Sequence, residues 1–154
     1  MPKAKSAKQH KILVIQGPNM HYLGKRQPEL YGTTTAAELD EMMREHAKQN
    51  GYRLSIFYTN SEGAAVDRLY QAMDEGVNGL VMNPASWSFD GHALRFCLLG
   101  INLPYVEVHI RSQYKMKHVS TLAEVAIGVI QGFGIDSYLL GLDAMLRILN
   151  RKSQ

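Results

Sequence analysis

A single cysteine, Cys97, is all the thiol chemistry this chain carries, and without a CxxC spacing it excludes both an intrachain disulfide and a thiolate metal centre. A reducing cytoplasm is the natural compartment for such a chain. No apolar run approaches the roughly 18 residues needed to span a bilayer, and the basic N-terminus leads into a strand-like segment too short for a signal sequence. Neither export nor membrane insertion is expected. Excess charge is scarce as well: 17 Lys and Arg against 14 Asp and Glu leave +3. Much of it comes from Lys3, Lys5 and Lys8 at one end and Arg151 and Lys152 at the other. It therefore reads as solvated tails over residues 1–10 and 151–154, not as a nucleic-acid surface. No H-x-x-x-H or His–carboxylate cluster occurs at helical spacing, so no metal site is expected.

What the chain does have is a globular balance of 45% hydrophobic and 20% charged residues over 154 positions, enough for one domain with its own core. Residues 11–16, Lys-Ile-Leu-Val-Ile-Gln, form a β-branched run with little alternation, the texture of a strand covered on both faces of a parallel sheet. That texture returns at 52–58, 79–82 and 104–109, which gives four candidate strands. Helical periodicity separates them. Thr35 and Glu38 form a capping-box pattern ahead of Leu39, Met42, Met43, His46 and Ala47 on one face, and Gly51 ends that helix. A second helix runs over 61–75 with Ala65, Val66, Leu69, Ala72 and Met73 inward, and a third carries Ala93, Leu94, Cys97 and Leu98. Thr121 and Glu124 repeat the capping-box spacing before the apolar stretch 122–130, and Leu142, Met145, Leu146 and Leu149 mark a last helix. Alternating strands and helices predict a doubly wound open parallel sheet of the flavodoxin-like type, helices on both faces.

In such sheets ligands bind beyond the carboxyl ends of the strands, so the loops there carry the candidate chemistry. The first, 17–32, is long enough to be a lid or binding loop. It has neither the GxxxxGK[ST] nor the GxGxxG pattern, which argues against phosphate and dinucleotide binding. It offers Arg26 and Tyr31 on one segment, and a guanidinium close to a phenol favours the phenolate, a base strong enough to take a proton beside a carbonyl. A packed loop tyrosine and a surface arginine would look the same. The fourth strand supplies Glu107-Val108-His109, whose period of two points both polar side chains to one face. A carboxylate so placed can fix the tautomer of a histidine and make it a proton donor near neutrality; a satisfied core histidine is the alternative. His10, His21, His46, His92 and His118 have no comparable setting.

The run Gly17-Pro18-Asn19, Leu23-Gly24, Arg26, Pro28 and Tyr31-Gly32 resembles the opening signature of the type II 3-dehydroquinate dehydratases. Asn60-Ser61-Glu62-Gly63, Asn83-Pro84, Glu107-Val108-His109-Ile110 and Gly128-Val129-Ile130 with Gly132 and Gly134 match the family's later motifs in order. The resemblance implies a cofactor-free elimination of water from 3-dehydroquinate through an enolate. It implies Tyr31 as the base held as phenolate by Arg26, Asn19 as the residue that positions a water on the enolate, and His109, oriented by Glu107, as the acid. It further implies Asn83 and the backbone of Ile110 and Arg111 as the carboxylate site, and trimers gathered into dodecamers.

Departures cluster in substrate recognition. The family's Asn-Pro-Gly-Ala-Tyr-Thr-His reads Asn83-Pro84-Ala85-Ser86-Trp87-Ser88-Phe89 here, and a family Asp that reaches toward a neighbouring subunit is Phe96. The stretch after His109-Ile110, where the family carries an Arg-x-x-x-Arg, reads Arg111-Ser112-Gln113-Tyr114-Lys115-Met116-Lys117-His118 and is about three residues shorter. Gln16 and Gln27 replace the usual Asn and Glu. These changes leave a repurposed pocket for another cyclic hydroxy acid as the alternative. A flavin or signalling module of the same fold is disfavoured, since the first strand ends in Gln-Gly-Pro-Asn with no acidic pair and no Ser/Thr-rich phosphate loop.

Overall fold

The computed structural model describes residues 8–152. The expected tail residues Lys3 and Lys5 lie outside that range, whereas His10 bonds Asn150 through Nε2 at 3.1 Å and its carbonyl accepts the Arg53 amide. Five parallel strands form one sheet: β1 (Lys11–Gln16), β2 (Arg53–Tyr58), β3 (Gly79–Asn83), β4 (Tyr105–His109) and β5 (Gly128–Gln131). Their spatial order β2-β1-β3-β4-β5 is that of the flavodoxin-like doubly wound fold. The helices are α1 (Pro28–Tyr31), α2 (Ala36–Asn50), α3 (Glu62–Asp74), α4 (Trp87–Asp90), α5 (His92–Gly100) and α6 (Asp136–Lys152). None is long and apolar enough to cross a membrane among the described residues.

The strands are buried on both faces because successive side chains point in opposite directions. Ile12, Val14, Val81, Val106 and Val108 pack with Leu39 and Met43 of α2 and Leu142 and Met145 of α6. Leu13, Ile15, Leu80, Met82 and Tyr105 pack with Leu69 of α3 and Leu94 and Leu98 of α5. Glu107 and His109 share the face of Tyr105, as their period-two spacing requires. On the other face Gly141 lets α6 lie close to β4: a Cβ there would stand 2.6 Å from Val108 Cγ1.

The four expected strands and four expected longer helices are all present. The segment 122–130 differs from the reading of it as a capped helix. Thr121 Oγ1 lies 3.5 Å from the Trp87 carbonyl and Glu124 pairs with Arg95, so neither side chain caps anything. Only a 3-10 turn forms at Ala123–Val125, after which Gly128–Gln131 joins β4 as the fifth strand. Long-range pairing has overridden a local signal that was itself sound in form. At α2 the same signal does operate: Thr35 Oγ1 accepts the Glu38 amide at 3.2 Å and Glu38 Oε2 accepts the Thr35 amide at 2.9 Å. Thr35→Ala removes one half of that box and is expected to lower stability by about 1 kcal/mol, read as a shift of the urea midpoint without a change in slope.

Candidate active site

The carboxyl end of β1 is held to that of β3 before any side chain acts. The Gly17 amide donates to the Asn83 carbonyl at 2.9 Å, and a Cβ on Gly17 would stand 2.6 Å from the Pro84 oxygen, so only glycine permits the approach. Asn19 then turns the chain with φ of 68°, its amide fixed by Asn60 Oδ1 at 2.9 Å. Here the second sequence motif acquires a role: Asn60 anchors the first loop, while Ser61 caps α3 through the Ala64 amide. Beyond the 3-10 turn Met20–Tyr22 the loop carries Arg26, and α1 presents Tyr31 before Gly32 turns at φ of 84°.

Asn83 ends β3 nearly buried. Its Nδ2 donates to Tyr138 Oη at 2.8 Å, and Tyr138 in turn donates to Gln16 Oε1 at 2.7 Å. Burial pushes the Tyr138 phenol upward, so it stays protonated and keeps donating, even though its bonds to Asn83 and Gln16 oppose the shift. Asn83 Oδ1 is taken by the Ala85 amide at 3.0 Å. The amide is thus fixed in one sense, with one Nδ2 hydrogen on Tyr138 and the other toward Met20 Sδ at 3.6 Å, a weak acceptor that a ligand oxygen would outbid.

Glu107 is fully buried in β4 and accepts three bonds: from Tyr105 Oη at 2.7 Å, Ser120 Oγ at 2.9 Å and His109 Nε2 at 2.8 Å. Tyr105 cannot release its proton there, because burial first, then the charge of Glu107 and their hydrogen bond, raise its phenol well above the ordinary value. An ionised Glu107 has no proton to give, so Nε2 of His109 carries the hydrogen and Nδ1 is the nitrogen left for a ligand.

A cleft of about 230 Å³ opens where these elements meet. Asn19, Arg26, Tyr31, Asn83, His109, Ile110 and Arg111 all line it. Every expected site residue except Glu107 thus reaches the cavity, and Glu107 stands behind His109. Sequence reasoning missed part of the remaining wall. Leu23 of the opening signature and Ser86 and Phe89 of the altered recognition stretch line the cleft, and so do Met20, Gln113 and Met116, to which no role was assigned. It also undervalued two histidines. The ring of His118 stacks on Phe89 at 3.6 Å and its Nε2 lies 3.1 Å from the Ser88 carbonyl, while His46 bridges Tyr52 at 2.9 Å and Asp143 at 2.6 Å. His46 lies on α2 with its partner Asp143 on α6 and joins those helices away from the cleft. Among the described residues no three His, Cys, Asp or Glu side chains converge as a metal ion would require.

A doubly wound α/β protein that presents a carboxylate-backed histidine and an arginine with a tyrosine to one small cleft belongs, by class, to the acid–base enzymes. The chain belongs to the class II dehydroquinases: the family model described as "Dehydroquinase class II" matches residues 10–146. It is 43% identical to 3-dehydroquinate dehydratase 1 of Ralstonia nicotianae, over 92% of each chain. It is also 38% identical to the catabolic 3-dehydroquinase 1 of Fusarium vanettenii, over 91% of this chain and 99% of that one. The crystal structure of the type II dehydroquinase from Butyrivibrio crossotus superposes with a TM-score of 0.86 at 31% identity, covering 89% of this chain and 97% of that one.

One departure from the family pattern now has a conformation. Ala85, where the pattern has glycine, sits at φ of 49°, in the left-handed region that costs a residue with a Cβ about 1 kcal/mol. Ala85→Gly is therefore expected to raise stability by about 1 kcal/mol, seen as a higher denaturation midpoint.

Proposed function

We infer that the chain is a hydro-lyase that removes water from 3-dehydroquinate. The observation that carries this reading is the shared cleft: Tyr31 and Arg26 line it together with His109, whose Nε2 is bound to the buried Glu107. A base and an acid facing one volume of about 230 Å³, below the range that holds drug-sized ligands, suit a single-ring acid. The family to which the chain belongs supports the same substrate.

In this reading Tyr31, which shares the cleft lining with Arg26, takes the C2 proton beside the ring carbonyl, and the electron pair moves onto the carbonyl oxygen as an enolate. Asn19 positions the water that hydrogen-bonds that oxygen. When the enolate collapses, its electrons form the new ring double bond and expel the C1 hydroxyl, which His109 protonates so that it departs as water. Glu107 keeps the imidazole in one orientation and balances the charge it carries as an acid. Asn83, through the Nδ2 hydrogen that otherwise rests on Met20 Sδ, and the backbone of Ile110 and Arg111 receive the substrate carboxylate. No metal or organic cofactor enters these steps. All of the chemistry is proton transfer between groups at the ends of β1, β3 and β4.

The same reading places the enzyme in the cytoplasm as trimers gathered into dodecamers. On α5, Phe96 and Leu99 are 66% and 58% exposed, an apolar pair suited to contact between copies. Gel filtration is expected to give a mass near twelve chains; elution as a single chain would count against this assembly. Turnover is checked by the ultraviolet absorbance of the conjugated product. Tyr31→Phe and His109→Ala are each expected to lower kcat by about 10²- to 10⁴-fold, the first with the thermal midpoint kept within a few degrees and the second with a lowered midpoint, because the buried Glu107 loses a donor. Equal activity in all three proteins would refute the assigned roles.

A further inference from the structure

Resting on the dehydratase reading, we propose that Gln113 is the specificity residue that reads a ring hydroxyl of the substrate, through its side-chain carbonyl. Its side chain is about nineteen-twentieths buried, yet it lines the cleft. Three bonds hold it. Its backbone amide donates to Gln131 Oε1 at 2.7 Å, its carbonyl accepts the His118 amide at 3.1 Å, and its Nε2 donates to Ser88 Oγ at 3.0 Å. Among the described residues nothing bonds Oε1, and it is not one of the enclosed polar atoms, so the fixed amide of this cleft-lining residue keeps an acceptor open to a ligand. Because the amide is held in place before a ligand arrives, a hydroxyl that donates to Oε1 gains a hydrogen bond without the cost of ordering its partner.

The supports of Gln113 tie it to both sides of the cleft. Gln131 is the register partner of His109 across β4 and β5, so the tether runs to the strand position beside the acid. Ser88 is fixed from the other side by His118, whose Nε2 donates to the Ser88 carbonyl at 3.1 Å and lies 3.2 Å from its Oγ. His118 carries Phe89 stacked on its ring with 10° between the planes. The amide is thereby gripped as firmly as a residue on a strand, although it lies on a 3-10 turn, Gln113–Met116.

The chemistry of the wall decides what Gln113 meets. Oε1 is a neutral acceptor in a lining that also includes Phe89 and Met116, neither of which can donate. A carboxylate would be repelled from it and finds Asn83 and Arg111 elsewhere in the same cleft. A ring hydroxyl is the donor that remains. Gln113 therefore fills, with one fixed acceptor, the recognition that the missing His at position 89 and the shortened segment after Arg111 leave open.

The test compares kcat/KM for 3-dehydroquinate and for its two analogues that each lack one non-departing ring hydroxyl, in the full-length parent, Gln113→Leu and Ser88→Ala. The parent is expected to lose about ten- to a hundredfold on one of the analogues, the worth of one buried hydrogen bond. Gln113→Leu is expected to lose as much on 3-dehydroquinate itself, and nothing further on that analogue. Ser88→Ala, which frees the amide without touching the cleft, is expected to show a smaller loss with the same selectivity, carried in KM. Should Gln113→Leu fail to fold, the selectivity of Ser88→Ala decides. Losses in the variants that are equal for all three compounds, or no loss at all, would overturn the assignment. Failure of the parent to turn over 3-dehydroquinate would instead overturn the dehydratase reading, and the assignment with it.

Discussion

A carboxylate in the middle of a parallel sheet is the constraint around which this molecule is arranged. Glu107 has no exposed surface, and an ionised group so placed costs several kcal/mol unless donors surround it. Tyr105 and His109 supply donors from its own strand, and Ser120 supplies one from the connection that follows. The last of these reaches furthest. Ser120 Oγ also accepts the Leu122 amide, so the carboxylate pins the chain just before the 3-10 turn that leads to β5. From that anchored segment His118 reaches back to Ser88, and through Ser88 it reaches Gln113. One buried charge thus orients the histidine at the cleft and, through His118 and Ser88, also steadies Gln113 in the cleft lining. Removing a single donor would leave the carboxylate underpaired, whereas the intact set makes the region behave as one unit.

The other half of the cleft is built on backbone contact. Gly17 lies against Pro84 too closely for any side chain, and Asn19 and Ala85, both in the cleft lining, adopt left-handed conformations. Such strain persists where surrounding bonds overdetermine it, and here the Asn60–Asn19 and Asn83–Ala85 bonds do so. Behind Asn83 the line Tyr138–Gln16 continues inward to the only buried amide nitrogen without a hydrogen-bond partner among the described residues, Gln16 Nε2. Gln16 stands where the family pattern has the shorter Asn. The longer side chain satisfies Tyr138 through its carbonyl oxygen.

Most of the architecture was legible in the sequence because it rests on periodicity. The apolar runs at 11–16, 52–58, 79–82 and 104–109 and the faces of α2, α3, α5 and α6 are local patterns, and local patterns survive translation into structure. The fifth strand was not legible for the same reason in reverse: Val129 and Ile130 are strand-like, but four residues following a capping-box spacing carry too little signal until β4 is beside them. At the site, Arg26, Tyr31, Glu107 and His109 could be read because their residue types suggest chemistry in themselves. Gln113 and Tyr138 could not. Their significance lies in partners 25 and 55 positions away, Ser88 and Asn83, and no spacing rule within one chain reports such a meeting.

The chain holds one tryptophan, Trp87, and it is buried at the start of α4 with Ser86 and Phe89, both part of the cleft lining, close by in sequence. Its carbonyl lies against Thr121 and its ring belongs to the core layer formed with α3 and α5. Indole emission from this protein therefore comes from one place, next in sequence to cleft-lining residues and against the core at once. The molecule carries its own optical probe of that part of the lining, and selective excitation of the indole separates movement there from events at its tyrosines.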